Sequence, residues 1–390
     1  MRHPLHIVFA SGGTAGHLHP GLAVATHLKE RMPDARISFL GGGKPLDHHR
    51  VRADGFEYVA VPSQPVPRNP FRAMRFITDN VAGYWASRWY LNEHQASLVV
   101  GLGGYASAAT VRAAMSRDLP TVLLEQNAVP SHVTRWLARS ADMICAGFEE
   151  VRAHLPIDAP LVVTGNPARP AFERLYRRKG TKVRDQGSET ESPAELPTSQ
   201  PPRRLIVVGG AGGARSLNEF MPLALRRLGP QLDGWHVVHQ TGEGQLQQTI
   251  ERYQAAGVKA LTVSFIDEMA PVLFESDLIV CRAGGTALAE LALAGVPAVL
   301  VPYARDVEAY QLTNAELVAA AGAATVLDES TLDGALDEAL ADHLEPLLTD
   351  DARRGTMANN MRSLARPDAA AAITDAICAV LGITAARLAA

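Results

Sequence analysis

Two glycine-rich stretches carry residues that can do chemistry. The first, Gly12-Gly13-Thr14-Ala15-Gly16-His17, follows the apolar run Ile7 to Ala10 and leads into a segment of helical length, with Pro20 read as the first helical residue. That reading places His17 at a helix N-terminus. The positive end of the helix dipole disfavours imidazolium, so the ring stays neutral and able to accept a proton. A general base fits, and so does a neutral histidine packed under the loop. Thr14 can offer a hydroxyl to a ligand or simply turn the chain.

The second stretch, Gly209-Gly210-Ala211-Gly212-Gly213, follows LIVV and precedes another helical segment. Further on, Cys281-Arg282-Ala283-Gly284-Gly285-Thr286-Ala287-Leu288-Ala289-Glu290 also leaves a strand and opens a helix, whose free N–H groups suit a phosphate. Such turns equally serve close helix–strand packing. Glu290 lies in the early turns of that helix. Its carboxylate is stabilised by the dipole, and it can also accept two hydrogen bonds from a vicinal diol such as ribose. Tyr310, Gln311 and Asn314 enter the next helix and on their own pass for a polar face.

These loops need a scaffold. Short β-branched runs recur at helical spacing: LHIVFA at 5, RISFL at 36, YVAV at 58, SLVVGLG at 97, TVLLEQ at 121, DMICAG at 142 and LVVTG at 161. The pattern predicts an α/β fold with a buried parallel sheet. It restarts with LIVVGG at 205, HVVHQTG at 236, LTVSFI at 261, LIVCRAG at 278, AVLVPY at 298 and ATVLD at 324. Between the two series, Arg177 to Arg204 contains almost no large apolar residue and is rich in Pro, Ser and charge. The organisation read from this is an N-terminal domain over 1–176, a flexible insertion over 177–204, a C-terminal domain over 205–366 and a C-terminal helix over 367–390, with Pro367 near the helix break.

The 390 residues exceed one ordinary core, and 47% hydrophobic with 20% charged residues fits folded domains. Lys plus Arg (37) against Asp plus Glu (41) gives a net charge of -4, so no bulk positive field gathers nucleic acid, and none is expected as a partner. Cys145, Cys281 and Cys378 are far apart, without disulfide or metal-ligand spacing. No segment reads as a signal peptide or a membrane span, and a cytoplasmic location is expected. One stretch hints at a membrane surface. Between Phe71 and Asn92, the residues Phe71, Met74, Val81, Trp85 and Trp89 share a helical face, with Arg68, Arg72, Arg75 and Arg88 nearby. The pattern suits an anionic bilayer surface or an amphipathic helix packed on a core.

Collinear stretches carry a resemblance: GGTAGHLHPGLAVA from Gly12, GLGGYAS from Gly101, LEQNAVPSHVTRWLA from Leu124, TGNPARPAF from Thr164, VVGGAGGARSLNEFMP from Val207, HQTGEG from His239, FIDEMA from Phe265, CRAGGTALAELALAGVPAVLVPY from Cys281, and the following QLTNA. The chain resembles the MurG family of UDP-N-acetylglucosamine transferases of peptidoglycan synthesis over about residues 5 to 330. The resemblance implies an α/β GT-B architecture, two Rossmann-like domains facing across a cleft, with the lipid-linked acceptor on the N-terminal one and the donor on the C-terminal one. It implies inverting transfer of GlcNAc from UDP-GlcNAc to the 4-hydroxyl of MurNAc in undecaprenyl-pyrophosphoryl-MurNAc-pentapeptide (lipid I), at the cytoplasmic membrane surface. No essential metal or other cofactor is implied.

By the same resemblance, Glu290 holds the ribose hydroxyls and the backbone near Ile266 holds the uracil. Gly285, Thr286 and Ala287 lie along the diphosphate. Gly16 and Gly212 belong to the two glycine loops at the donor. Thr14 and His17 reach the diphosphate and sugar, Asn127 and Gln311 the GlcNAc hydroxyls, and Arg169 the developing charge. His17 is the general-base candidate. The chain departs from the family pattern at Ala211 (usually Ser), Ala15 (Gly), Leu124 (His) and Tyr310 (a polar residue), and Ser63 to Arg68 lacks the usual Gly-Leu-Arg-Gly. The alternatives are a UDP-GlcNAc 2-epimerase-like enzyme and a non-catalytic sugar-nucleotide binder. An oxidoreductase fits less well, because the first loop lacks GxGxxG and no acidic residue ends SFLGGG.

Overall fold

The computed structural model describes residues 4–11, 15–67, 69, 71, 73–185, 202–303, 310–332 and 334–383. Thr14, Arg68 and Arg72 lie outside the described residues, as does 186–201. The chain divides into two compact units, residues 1–169 with 366–390 and residues 170–365.

The first unit is built on seven parallel strands: β1 (His6–Ala10), β2 (Arg36–Gly41), β3 (Glu57–Ala60), β4 (Leu98–Gly101), β5 (Thr121–Glu125), β6 (Met143–Ala146) and β7 (Leu161–Val163). Their order is β3-β2-β1-β4-β5-β6-β7. Helices α1 (Ala15–Arg31), α2 (Pro45–Ala53), α3 (Ala73–Glu93), α4 (Tyr105–Met115) and α5 (His132–Leu137) connect them. With helices covering both faces, a central strand has no solvent side, and Ile7, Val8, Phe9 and Ala10 are all fully buried. This explains why the strands read as continuous apolar runs rather than alternating ones.

The second unit begins with α6 (Pro170–Asp185) and continues β8 (Arg203–Val208), α7 (Arg215–Leu228), β9 (Trp235–Gln240), α8 (Leu246–Ala256), β10 (Ala260–Val263), α9 (Met269–Phe274), β11 (Leu278–Cys281), α10 (Gly285–Ala294), β12 (Ala298–Leu300), α11 (Tyr310–Ala320), β13 (Ala324–Val326), α12 (Leu336–Thr349) and α13 (Asp351–Ser363). Its six strands are parallel in the order β10-β9-β8-β11-β12-β13. The last described helix, α14 (Ala369–Val380), follows Pro367 and returns to the first unit. There it packs on α1, placing Ala370, Ile373, Ile377 and Cys378 in the same core as Leu18, Leu22 and Leu28.

All thirteen apolar runs of the sequence are strands. Two details differ from the sequence reading. Pro20 does not start its helix: α1 begins at Ala15, and Pro20 sits in its sixth position, where the ring has no N–H to bond the carbonyl four residues earlier. The stretch read as an interdomain insertion over 177–204 lies inside the second unit, which begins at Pro170, and it is narrower, since Arg177 to Asp185 prolong α6 and Arg203 and Arg204 already belong to β8.

The structure also decides between the two readings of α3. Phe71 (93% exposed), Met74, Ile77, Val81, Trp85 (60%) and Trp89 (64%) point to solvent, whereas Gly83, Ser87, Tyr90 and Leu91 are the buried positions of the helix. The apolar face is therefore not the one packed on the core. Helical period identifies a stripe but not its direction, and here the small and mixed residues pack against α4, with Ser87 Oγ 2.8 Å from Thr110 Oγ1. No described helix is long and apolar enough to cross a membrane.

Candidate functional site

In an open parallel sheet, a crevice forms where the strand order reverses, because successive loops leave the carboxyl ends in opposite directions. In the first unit that point lies between β1 and β4, and in the second between β8 and β11. The glycine-rich loops are the ones leaving these four strands.

In the first unit, His17 occupies the first turn of α1 and is half-buried. Its ring lies against the loop after β4: a Cβ at Gly103 would stand 3.5 Å from His17 Cδ2 and 3.7 Å from Nε2, with Gln126 Oε1 at 3.8 Å. Gly103 has φ of 84°, which an L side chain rarely adopts. The loops after β4 and β5 thus meet the first turn of α1 at the imidazole. Gly16, just before it, is exposed.

Glu125, at the end of β5, organises the next part of the site. Its Oε1 accepts from the Asn127 backbone N–H (3.1 Å) and from Asn127 Nδ2 (3.4 Å), and its Oε2 accepts from the Ser131 N–H (3.0 Å) and Thr134 Oγ1 (2.6 Å). A buried carboxylate needs such partners. Desolvation raises its pKa, and the hydrogen bonds from Thr134, Ser131 and Asn127 oppose that rise. Asn166 Nδ2 donates to the Gln126 carbonyl (2.8 Å), tying the GNP stretch to this loop. Arg169, three residues later and half-buried, lies close enough to His19 to disfavour its protonation. Burial is the larger cause and Arg50 a further one, together holding His19 at about 3. The Arg50 guanidinium faces His19 Nε2 at 3.4 Å.

In the second unit, α7 and α10 both start at the crevice, and neither Ala214 nor Gly284, their N-cap residues, supplies a side-chain cap. Their first N–H groups form the kind of donor array that binds phosphate. Gly212 is exposed in the loop before α7, while Gly285, Thr286 and Ala287 make the first turn of α10. Gly213 has φ of 73°, and a Cβ there would fall 1.8 Å from the Thr241 carbonyl oxygen, so the loop lies backbone against backbone. Glu290, the sixth residue of α10, is buried. The Ile266 N–H donates to Gln240 Oε1 (2.9 Å), and Gln311 Oε1 accepts from the Tyr303 N–H (3.2 Å).

Arg282 joins the two sides of this crevice. Its Nη1 donates to the carbonyls of Val301 and Pro302 (both 3.0 Å) and to Glu329 Oε1 (2.9 Å), while Nη2 donates to Ser216 Oγ (3.0 Å) on α7. Asn314, buried in α11, donates to the Ala283 carbonyl (3.0 Å). The residues proposed from sequence thus fall into two sets, Gly16, His17, Asn127 and Arg169 in the first unit and Gly212, Ile266, Gly285, Thr286, Ala287, Glu290 and Gln311 in the second. Glu125, Gln240 and Arg282 were not singled out by the sequence. The available signal for each was a polar or charged residue at the end of a buried strand, where a carboxyl-end loop begins. Among the described residues, no cluster of three His, Cys, Asp or Glu side chains is grouped as a metal site.

Residues 7–146 match the glycosyltransferase family 28 N-terminal domain and residues 204–373 its C-terminal domain. A UDP-N-acetylglucosamine--N-acetylmuramyl-(pentapeptide) pyrophosphoryl-undecaprenol N-acetylglucosamine transferase from Geobacter sulfurreducens is 35% identical over 372 residues, covering 95% of this chain and 97% of its own. The transferase of the same name from Nitratidesulfovibrio vulgaris is 35% identical over 386 residues, 98% of each chain. The crystal structure of Acinetobacter baumannii MurG matches with a TM-score of 0.71 at 28% identity, over 96% of this chain and 99% of that one. The calicheamicin glycosyltransferase, at 19% identity and a TM-score of 0.62 over 98% of this chain and all of its own, shares the fold.

Two parallel sheets with a glycine-lined crevice at each switch point, set beside these likenesses, define a glycosyltransferase of the GT-B class. The chain belongs to glycosyltransferase family 28 and, within it, to the MurG transferases.

Proposed function

We propose that the chain transfers N-acetylglucosamine from UDP-GlcNAc to the 4-hydroxyl of MurNAc in undecaprenyl-pyrophosphoryl-MurNAc-pentapeptide, turning lipid I into lipid II in peptidoglycan synthesis. The observation that carries this reading is the 35% identity to the Geobacter sulfurreducens transferase over 95% of the chain. The second unit supports the donor half. The uncapped first turns of α7 and α10 suit a diphosphate, and Glu290 beyond them suits the ribose diol. Uracil then meets the backbone at Ile266, and Gln311 meets the sugar hydroxyls.

The reaction is a single displacement with inversion. The acceptor hydroxyl oxygen forms the new bond to C1, the bond from C1 to the diphosphate oxygen breaks, and UDP leaves with the electron pair. His17 takes the hydroxyl proton, while helix N–H groups and Arg169 stabilise the charge on the leaving diphosphate. Thr14 and Gly16, in this reading, meet the same donor, and Asn127, fixed by Glu125, meets the GlcNAc. The solvent-facing stripe of α3 supports peripheral docking on the cytoplasmic face of the membrane, where the lipid-linked acceptor resides.

The test is incubation with radiolabelled UDP-GlcNAc and a short-chain lipid I analogue. Labelled disaccharide lipid is expected. Conversion of UDP-GlcNAc to its 2-epimer without any acceptor product would overturn the assignment.

A further inference from the structure

Gln240 ends β9 with its side chain buried, and it makes two hydrogen bonds in opposite directions. Its Nε2 donates to the Gly210 carbonyl (3.0 Å) in the loop after β8, and its Oε1 accepts from the Ile266 N–H (2.9 Å) beyond β10. The orientation of the amide follows from the partners, since a carbonyl demands a donor and an N–H demands an acceptor.

These two attachment points are the two halves of the donor site. Gly210 belongs to the glycine loop that leads into α7, and Ile266 belongs to the turn assigned to the base. We infer that Gln240 is a positioning residue for the donor nucleotide, a strap that fixes the spacing between its base site and its diphosphate loop. The inference rests on the donor reading of the second unit.

The geometry gives the strap two effects. The Gly210 carbonyl also accepts from the Gly213 N–H (3.0 Å), so both its lone pairs are used inside the protein. Turned inward, that oxygen does not oppose an anion arriving at the loop. Gly210 has φ of 86° and Gly213 φ of 73°, so the loop follows a path open mainly to glycine and needs fixed anchors to hold it. At the other end, the bond to Ile266 holds the base-side turn, which is also attached to the exit of β9 by the Gly242 N–H donating to the Ser264 carbonyl (3.0 Å). Gln240 makes both bonds through one rigid amide. A nucleoside diphosphate that spans the two ends then binds to a site whose spacing is set in advance, and it avoids the ordering cost of a mobile loop.

The strap predicts a particular division of effects. Removing it leaves the contacts of each half in place but releases their relative position. A ligand spanning both halves loses affinity, and a ligand occupying one half does not. The test uses the full chain with Gln240→Met, which keeps the side-chain length without either hydrogen bond, and Gln240→Glu, which still accepts from Ile266 but no longer donates to Gly210.

Calorimetry with UDP, uridine and inorganic pyrophosphate is combined with steady-state kinetics. For Gln240→Met, the UDP dissociation constant and the KM for UDP-GlcNAc are expected to rise about tenfold, the scale of two neutral hydrogen bonds. Binding of uridine and of pyrophosphate, and kcat at saturating donor, should stay within about twofold, a split that uniform loss of folded protein does not produce. Gln240→Glu should weaken UDP while leaving uridine unchanged. UDP affinity within twofold of wild type in both folded variants would overturn the strap while leaving the donor site standing, and so would uridine weakened as much as UDP. Failure of the wild-type chain to bind UDP at all would overturn the donor reading itself, and the strap with it.

Discussion

Asn218 and His239 share a buried hydrogen bond, with His239 Nε2 3.0 Å from Asn218 Oδ1. Asn218 Nδ2 already donates to the Thr241 carbonyl and to Gln245 Oε1 (both 2.9 Å), so Oδ1 is the acceptor and Nε2 carries the proton. His239 Nδ1 is then the acceptor for the Tyr253 hydroxyl at 2.9 Å. A neutral imidazole satisfies every member of the network. This network underlies the backbone contact between Thr241 and Gly213, and so it supports the glycine loop from below.

The network makes stability depend on pH. Burial lowers the His239 pKa from 6.5 to about 3. Above pH 6.5 the ring is neutral whether the chain is folded or not, and its contribution is complete. As pH falls through 6.5, the unfolded chain binds a proton that the folded one refuses, so stability drops by about 1.4 kcal/mol per unit until the folded value is reached. Relative to pH 7.5, His239→Gln should therefore lose about 2 kcal/mol less than wild type at pH 5. Urea denaturation at the two pH values measures this. Identical losses would show that His239 does not titrate with unfolding.

Much of this architecture was legible in the chain. Buried parallel strands must be apolar on both faces, and all thirteen runs, including the short AVL and ATV, are strands. The glycine loops were legible because positive φ and close backbone approach select glycine, as at Gly103 and Gly213. What escaped reading depends on partners distant in sequence. Asn166 reaches the Gln126 carbonyl across 40 residues, and Gln240 reaches back 30 to Gly210 and forward 26 to Ile266. The direction of the α3 stripe and the return of α14 to the first core are likewise set by tertiary packing. The start of α1 was misplaced because Pro is favoured at the first helical position, and here it sits five residues further in.

Glu290 offers the most direct test of the donor site. Losing a charged hydrogen-bond acceptor costs about 1.5 to 3 kcal/mol, which is roughly 10- to 150-fold in affinity. Glu290→Ala should weaken UDP by that factor in isothermal titration. Unchanged UDP affinity would remove Glu290 from the ribose position.

For α3, the outward stripe separates membrane binding from folding. Trp85 is 60% exposed, and Arg75 pairs with Asp79 on the surface at 3.4 Å. Trp85→Ala combined with Arg75→Glu should reduce sedimentation with anionic liposomes and leave the melting temperature nearly unchanged. A large fall in melting temperature with normal liposome binding would instead make the helix a packing element.

His17 separates chemistry from binding. Its ring stands at the loops after β4 and β5, in the first unit, whereas the groups proposed for uracil and ribose all lie in the second. Replacing a general base lowers turnover by about 10² to 10³. His17→Ala should therefore reduce kcat by that factor and leave UDP affinity almost unchanged. Gly103 provides an independent probe of the same contact. A methyl group at Gly103 would meet the ring at 3.5 Å, an ordinary contact, but it must adopt φ of 84°, so Gly103→Ala should displace the loop under the imidazole by backbone strain and lower kcat through a group that cannot itself take a proton. If His17→Ala retains normal turnover, His17 is a structural residue of the loop and the acceptor proton leaves by another route. If it loses turnover and UDP affinity together, the ring serves binding rather than proton transfer.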